Sequence, residues 1–426
     1  MPTQTSKRHS EKGAASRTGE VDIANASWKD KLHQAIDNLA ESRTSTREEA
    51  LSLVIALLTR HYAADTLESR NEELLLALRR SLCKAHSVQE ACLASKAIAL
   101  TFIQHGDISM GEQEEYLQLV LPALKATVRN SESSEIKVHC MQTMALVIFI
   151  AASDIDKQLI RDFIFDFIET EGEAFSVDDL SSNAMDQLMC AAAKAYGLLF
   201  IASFCEGAVD IEILWEEMER VMPVHEILLE SPDKNVRSAA GENIALIFET
   251  LRVMTEDEEE EADEEDAMEK REYDNMDELI HTLRDLSVDS NRRRNKSDRA
   301  EQRSLFRDVV RSVEEGERPV EELKIHGRTI PFRGWSKLLP LNTFRSIMGQ
   351  GLQFHFKTNN LFRQIFHYSM PMSFSSYRDD SDDEEPDHVD PSQISNADKH
   401  YIYSESKKLR SKRLRNARIA RDKSQL

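Results

Sequence analysis

Four short segments of this chain repeat a pattern that few folds can use. IALTF (98–102), MALVIF (144–149), YGLLF (196–200) and IALIF (244–248) place a small residue at Ala99, Ala145, Gly197 and Ala245. A leucine follows directly each time, at Leu100, Leu146, Leu198 and Leu246. The spacings of 46, 52 and 48 residues match two-helix HEAT or armadillo units with slightly long loops. A small residue at a fixed place lets neighbouring helices approach closely, and the leucine row fills the core they share. An arbitrary helical bundle has little reason to keep that register. The expected fold class is therefore all-α: a HEAT/armadillo-like α-solenoid with a small C-terminal module and a basic helical tail.

The surrounding pattern agrees. From about 28 to 250 the apolar period is helical throughout, glycine and proline are sparse, and no alternating run is bounded by turn residues. Helices are expected at about 69–85, 88–105, 112–129, 134–153, 156–169, 183–204, 210–229 and 233–252. Thr46 and Glu49 read as a capping box opening an earlier one, with Leu53, Ile55, Ala56 and Leu57 on its apolar side. Further amphipathic helices are expected over 273–290 and about 299–315. After Gly316 the character changes. EELKIHGRTIPFRGW (321–335) reads as extended with a turn at His326-Gly327, a helix follows over 337–348, and Gly349-Gln350-Gly351 breaks it. The aromatic-rich stretch beyond either packs on the end of the array or forms a docking surface.

Charge divides the chain further. The net charge is -22 over 426 residues, but it is not spread evenly. Residues 256–269 hold eleven acids and no base, and residues 379–390 hold eight more acids. Residues 407–426 carry nine bases against one acid, a net of +8. The expected organisation is a disordered N-terminal tail (1–25) and a helical-repeat domain (26–315) containing an acidic loop (255–270). A C-terminal module (316–370), an acidic linker (371–398) and a basic helical tail (399–426) follow.

Several functional classes are disfavoured. No apolar run approaches the roughly 20 residues of a membrane span, and the N-terminus lacks a signal-peptide core, so no membrane role is expected. The cysteines Cys83, Cys92, Cys140, Cys190 and Cys205 lack CxxC spacing and read as buried thiols in a reducing compartment, not as a zinc site. No phosphate loop, dinucleotide fingerprint, HExxH or GxSxG motif is present. His139 and His355 read as structural. The expectation is a non-enzymatic monomer with no cofactor and no metal.

Binding to nucleic acid is better supported. Lys407, Lys408, Arg410, Lys412, Arg413, Arg415, Arg418, Arg421 and Lys423 space their charges around a predicted helix, with Leu409, Leu414 and Ile419 between them. Such a helix suits an RNA-walled channel more than a flat membrane, although a nuclear-import signal or a solvated tail has the same composition. Arg292, Arg293, Arg294 and Lys296 form a second cluster ahead of a helix start. The acids of 379–390 are placed to cover the tail in the free protein.

At this point the C-terminal residues resemble a known family. Phe306, Glu314-Glu315-Gly316, Pro319, Trp335, Leu341, Phe344, Gly349-Gln350-Gly351, His355, Asn360, Leu361, Phe362, Ile365 and Phe366 resemble the C-terminal domain of the interferon-related developmental regulators. The closing YSESKKLRSKRLRNARIARDK is similar too, and STREEAL (45–51) looks like the start of the family's N-terminal repeats. The resemblance implies a helical-repeat regulator without enzymatic activity. It implies two alternative roles: a factor that binds inactive ribosomes through C-terminal elements, or a transcriptional co-regulator acting through protein partners. The corresponding locations are cytoplasm and nucleus. Trp335, Phe344, Gly349, Gly351, His355, Asn360, Phe362 and Phe366 are the module residues it singles out.

Overall fold

The computed structural model describes residues 27–177, 180–205, 209–259, 271–288, 296–325 and 328–368. Helices pair along the chain. The pairs are α1 (Trp28–Asn38) with α2 (Thr44–Arg60), α4 (Asn71–Cys83) with α5 (Val88–Ile103), and α6 (Met110–Asn130) with α7 (Ser134–Ala151). Next come α8 (Asp154–Glu169) with α9 (Ser182–Phe200), α10 (Ile211–Leu229) with α11 (Lys234–Glu259), and α12 (Met276–Val288) with α13 (Lys296–Glu315). A single turn, α3 (Ala64–Leu67), precedes α4. The second helix of each pair stacks on the second helix of the next, making a continuous inner row of α2, α5, α7, α9, α11 and α13. The first helices form the outer row.

The repeated residues lie where their spacing puts them. Ala99, Ala145 and Ala245 are buried in α5, α7 and α11, and Leu100, Leu146, Leu198 and Leu246 are all sealed from solvent. The central inner helices α5, α7 and α9 have neighbours on several sides, so they are apolar over most of their surface. Two of them, Ser134–Ala151 and Ser182–Cys205, are even long and apolar enough to cross a membrane by length and composition. This corrects the expectation that no such run exists, and burial against neighbouring helices accounts for their composition. The second continues from α9 into a π-helical turn, Ile201–Cys205.

Serine marks six of the helix starts. Ser87, Ser109, Ser133, Ser153 and Ser181 each accept the N–H three residues on, and Ser27 with Asp30 closes a full capping box. The capping box read at Thr46 is not one. α2 begins at Thr44 behind Arg43, which makes no side-chain cap. Its buried stripe is Leu51, Val54, Leu57 and Leu58, while Leu53 is exposed and Ile55 only half-buried. The start is fixed instead by Arg47, which donates to the carbonyls of Glu41 and Ser42 in the preceding loop. The first acids of the 256–269 block extend α11 to Glu259, so the helix ends later than expected. The thiols are free as expected, but Cys83 is exposed, and Cys190 and Cys205 are only partly buried.

After α13 the chain forms an antiparallel hairpin, β1 (Val320–Ile325) with β2 (Arg328–Arg333), in the register Val320↔Arg333 to Ile325↔Arg328. Then come α14 (Trp335–Met348), a 3-10 turn (Gly349–Gly351), α15 (Leu352–Thr358) and α16 (Asn360–Phe366). One hydrophobic cluster runs from Leu32 to Phe366 without a break between this segment and the helical row.

Candidate functional site

The module does not sit at the end of the array. It returns as a strap across the C-terminal halves of the inner helices, from α11 back to α2, and each contact follows from local chemistry. At the α11 end, Gly334 turns the chain at φ +87°, and a Cβ there would stand 2.6 Å from Glu249 Oε1. This close approach lets the Glu249 carboxylate accept the Trp335 N–H at 2.8 Å, the Ser336 N–H at 3.2 Å and the Ser336 hydroxyl at 2.9 Å. Glu249 thus caps α14 from another helix, placing an anion at the positive end of its dipole. The Trp335 indole N–H donates to Ser312 Oγ at 2.8 Å, and the Arg252 guanidinium donates to the Ser312 and Val313 carbonyls at the end of α13.

The strap then passes α9 and α7. Gly197 leaves just enough room: a Cβ would meet Leu339 at 3.0 Å and Asn243 Oδ1 at 2.3 Å. Phe344 reaches Phe149 of α7, with ring centroids 6.5 Å apart. Further on, Gly351 lies against α2, where a Cβ would be 2.2 Å from the Thr59 carbonyl oxygen. His355 Nε2 donates to the Leu58 carbonyl at 3.0 Å, and its Nδ1 accepts from Asn359 Nδ2 at 3.1 Å. The same Asn359 amide donates to the Ile103 carbonyl at 2.7 Å. Asn360 Nδ2 reaches Asp107 at 3.0 Å, and Gln364 Nε2 reaches the Gly106 carbonyl at 3.3 Å. Helix C-termini leave carbonyls without intrahelical partners, and the strap supplies donors to them at α2 and α5.

The residues singled out from sequence fall into two groups. Trp335, Phe344, Gly351, His355, Phe362 and Phe366 are all buried: Trp335, Gly351 and His355 against the inner helices, and Phe344, Phe362 and Phe366 in an aromatic cluster where they pack edge to face or tilted with Phe332 and Phe356. Gly349 is exposed and Asn360 half-exposed. Burial holds the His355 imidazole down at about 4, and both ring nitrogens are committed, so this side chain serves packing and not proton transfer. The basic residues Lys407, Lys408, Arg410, Lys412, Arg413, Arg415, Arg418, Arg421 and Lys423 lie outside the described residues, as do Arg292, Arg293 and Arg294; Lys296 is the first residue of α13. So do the His326-Gly327 turn and the 379–390 acids.

Sequence reasoning missed Glu249 and Asn359, which make the long-range contacts. It also missed a second pairing of the same design, in which Asn243 of α11 donates to the Ala193 carbonyl at 2.8 Å and faces His225 Nε2 at 3.0 Å. Beside the 3-10 turn at Gly349–Gly351, Trp28, Met348 and Phe354 border an open cleft of about 900 Å³.

Stacked helix pairs held by a strap of the same chain define a helical-repeat scaffold whose inner row is covered in cis. The chain belongs to the interferon-related developmental regulator family, whose sequence model matches residues 2–314. Interferon-related developmental regulator 2 of Mus musculus is 30% identical over 342 residues, 79% of this chain and 72% of that one. Interferon-related developmental regulator 1 of Homo sapiens is 27% identical, covering 80% and 72%. An uncharacterized protein of Schizosaccharomyces pombe is 27% identical over 375 residues, covering 85% and 80%. Among solved structures, an engineered protein overlaps 66% of this chain and 97% of its own with a TM-score of 0.39 at 13% identity. The family relatives are named as regulators.

Proposed function

We propose that this family member is a non-enzymatic regulator of translation that binds ribosomal RNA or inactive ribosomes through its basic C-terminal elements. The observation that carries the reading is the compact +8 of residues 407–426 in a chain whose net charge is -22. Nine closely spaced cations fit a phosphate-lined partner. Two further points support it. The strap already covers the C-terminal halves of the inner helices from α2 to α11, which removes the surface a peptide-binding co-regulator of this fold would use there. The helical row and the strap share one continuous hydrophobic cluster, so the array has a single core.

Cosedimentation of the full chain with purified ribosomes tests the reading. Binding is expected to weaken steeply with salt and to disappear on truncation before Lys407. Replacing three of the nine tail cations with glutamine lowers the salt dependence by roughly 2 to 3 in log–log slope. Ribosome binding that survives the truncation with the same salt slope would refute it. Nuclear protein partners that survive nuclease and loss of the tail would favour transcriptional co-regulation.

A further inference from the structure

Cys92 on α5 and Glu135 and His139 on α7 come together far from the strap, at the N-terminal halves of two adjacent inner helices. Their ligand atoms, one sulfur, one carboxylate oxygen and one imidazole nitrogen, all lie within 4.8 Å of one another. Glu135 and His139 are four residues apart, so they project from one face of α7 on successive turns, and Cys92 meets them from the facing helix. Cys92 is buried, His139 half-buried and Glu135 exposed at the mouth. Among the described residues, none of the three side chains is engaged in a hydrogen bond or ion pair.

We propose that Cys92, Glu135 and His139 bind one divalent ion of the zinc type, tying the second helix pair of the array to the third. The donor set is that of a borderline metal: thiolate, imidazole and carboxylate in three positions of a tetrahedron, the fourth open to solvent beside Glu135. Tetrahedral bonds of ordinary length bring such atoms to roughly 3.3–3.6 Å from one another, so closure needs about 1 Å of movement. The exposed Glu135 side chain can supply most of it. Charge balances as well. Thiolate and carboxylate neutralise the dication, and the neutral imidazole adds none, so the half-buried site carries no net charge. Burial favours the neutral imidazole of His139, the form a metal requires. The same burial lifts the Cys92 thiol to about 11, so binding releases its proton to solvent as the metal–sulfur bond forms. Lys96, one turn beyond Cys92, is the nearby cation that opposes the site.

Sequence spacing hides this arrangement, because Cys92 lies 43 residues before Glu135 on another helix. The test uses the full chain stripped of metal by a chelator, with cobalt(II) and zinc(II) as probes. One cobalt per chain is expected, with thiolate-to-cobalt charge-transfer absorption that zinc abolishes, about one proton released per ion, and a zinc-dependent rise in Tm. Cys92→Ser loses the charge-transfer band, whereas Cys190→Ser keeps it. Glu135→Gln and His139→Gln weaken zinc binding at least about tenfold. Because Cys92 is in the core, the exposed Glu135→Gln variant keeps the test decisive if Cys92→Ser fails to fold. Absence of metal uptake by the wild type, or unchanged zinc affinity in both the Glu135 and His139 variants, would overturn the proposal.

Discussion

Arg47 and Glu90 illustrate how this chain uses charge in its interior. Glu90 is fully buried, and Arg47 meets it with two bonds of 2.6 and 3.1 Å while also donating to the carbonyls of Glu41 and Ser42. Burial pushes the Glu90 carboxyl up, but the bonds from Arg47 and the His86 N–H, with the guanidinium charge, outweigh it and hold the group ionised. The same device recurs. Lys137 is buried and donates to the carbonyls of Val128, Arg129 and Phe175, and Arg237 donates to those of Ser231 and Pro232. Arg47, Lys137 and Arg237 each stand fourth in an inner helix, where Arg47 and Arg237 bind carbonyls of the preceding loop and Lys137 binds those at the end of the preceding helix. Nothing local in the sequence marks these cations as buried, because the carbonyls they bind belong to a loop or to the end of another helix, whose course only the folded pair sets. Arg47→Met leaves Glu90 buried without its partner and is expected to cost about 3–5 kcal/mol. Arg47→Met combined with Glu90→Gln should recover part of that loss. Urea unfolding of both variants checks this, and a single-variant cost below about 1 kcal/mol would contradict the role assigned to the pair.

Individual helices were largely legible in the sequence, whereas the path of the strap was not. Serine caps and the helical period are local signals, so the expected and observed helices over 69–252 differ mostly at their ends. Pro122 and Pro223, each the thirteenth residue of an outer helix, are a repeat signature the apolar pattern alone does not reveal. The glycine break at 349–351 was readable as well. Apart from Ser312, the strap's hydrogen-bond partners on the inner row lie 86 to 297 residues away in sequence, and no periodicity encodes such pairings. Its aromatic residues therefore leave a docking surface open as an alternative to packing until Glu249, Gly197 and Thr59 are seen against it. Glu249→Ala removes the cap of α14 and should destabilise the protein by about 1.5–3 kcal/mol, the range for hydrogen bonds to a charged group. Gly334→Ala should act in the same direction, since it strains a positive φ and drives a Cβ into the same carboxylate. Hydrogen exchange locates the effect: amides of 335–348 should exchange faster in both variants, with those of α8 unchanged. Uniform acceleration across the array would mean that Glu249 supports the whole row and not the strap.

The whole molecule joins these devices through neutral histidines at three separate interfaces. His105, at the end of α5 beside Phe102 and Tyr116, is buried with neither ring nitrogen bonded among the described residues, and burial lowers it to about 3. His225, between α10 and α11, and His355, between the strap and α2, are lowered by burial to about 4 each. In both of these, an asparagine amide that already donates to a helix carbonyl faces the acceptor nitrogen, so a second proton would set donor against donor. Above pH 6.5 these imidazoles are neutral in folded and unfolded chains alike and contribute no pH dependence. Below it the unfolded chain takes up three protons that the folded chain refuses, so stability falls with pH until the folded pKa values near 4 and 3 are reached. Summed over the three sites, the loss between pH 8 and pH 5 is about 6 kcal/mol, a large share of the 5–15 kcal/mol typical of a folded protein. His61, His139 and His367 shift in the same direction but keep more solvent. Urea midpoints measured from pH 8 to pH 5 should therefore fall steeply below 6.5. The His105→Phe variant isolates one contribution. It replaces an unbonded imidazole with a ring suited to Phe102 and Tyr116, so it should leave stability at pH 8 unchanged or raised. It should also remove about a third of the pH dependence, because one of three refused protons is gone. A variant that keeps the full slope would place the acid sensitivity elsewhere, in the carboxylate pairs and not in these buried rings.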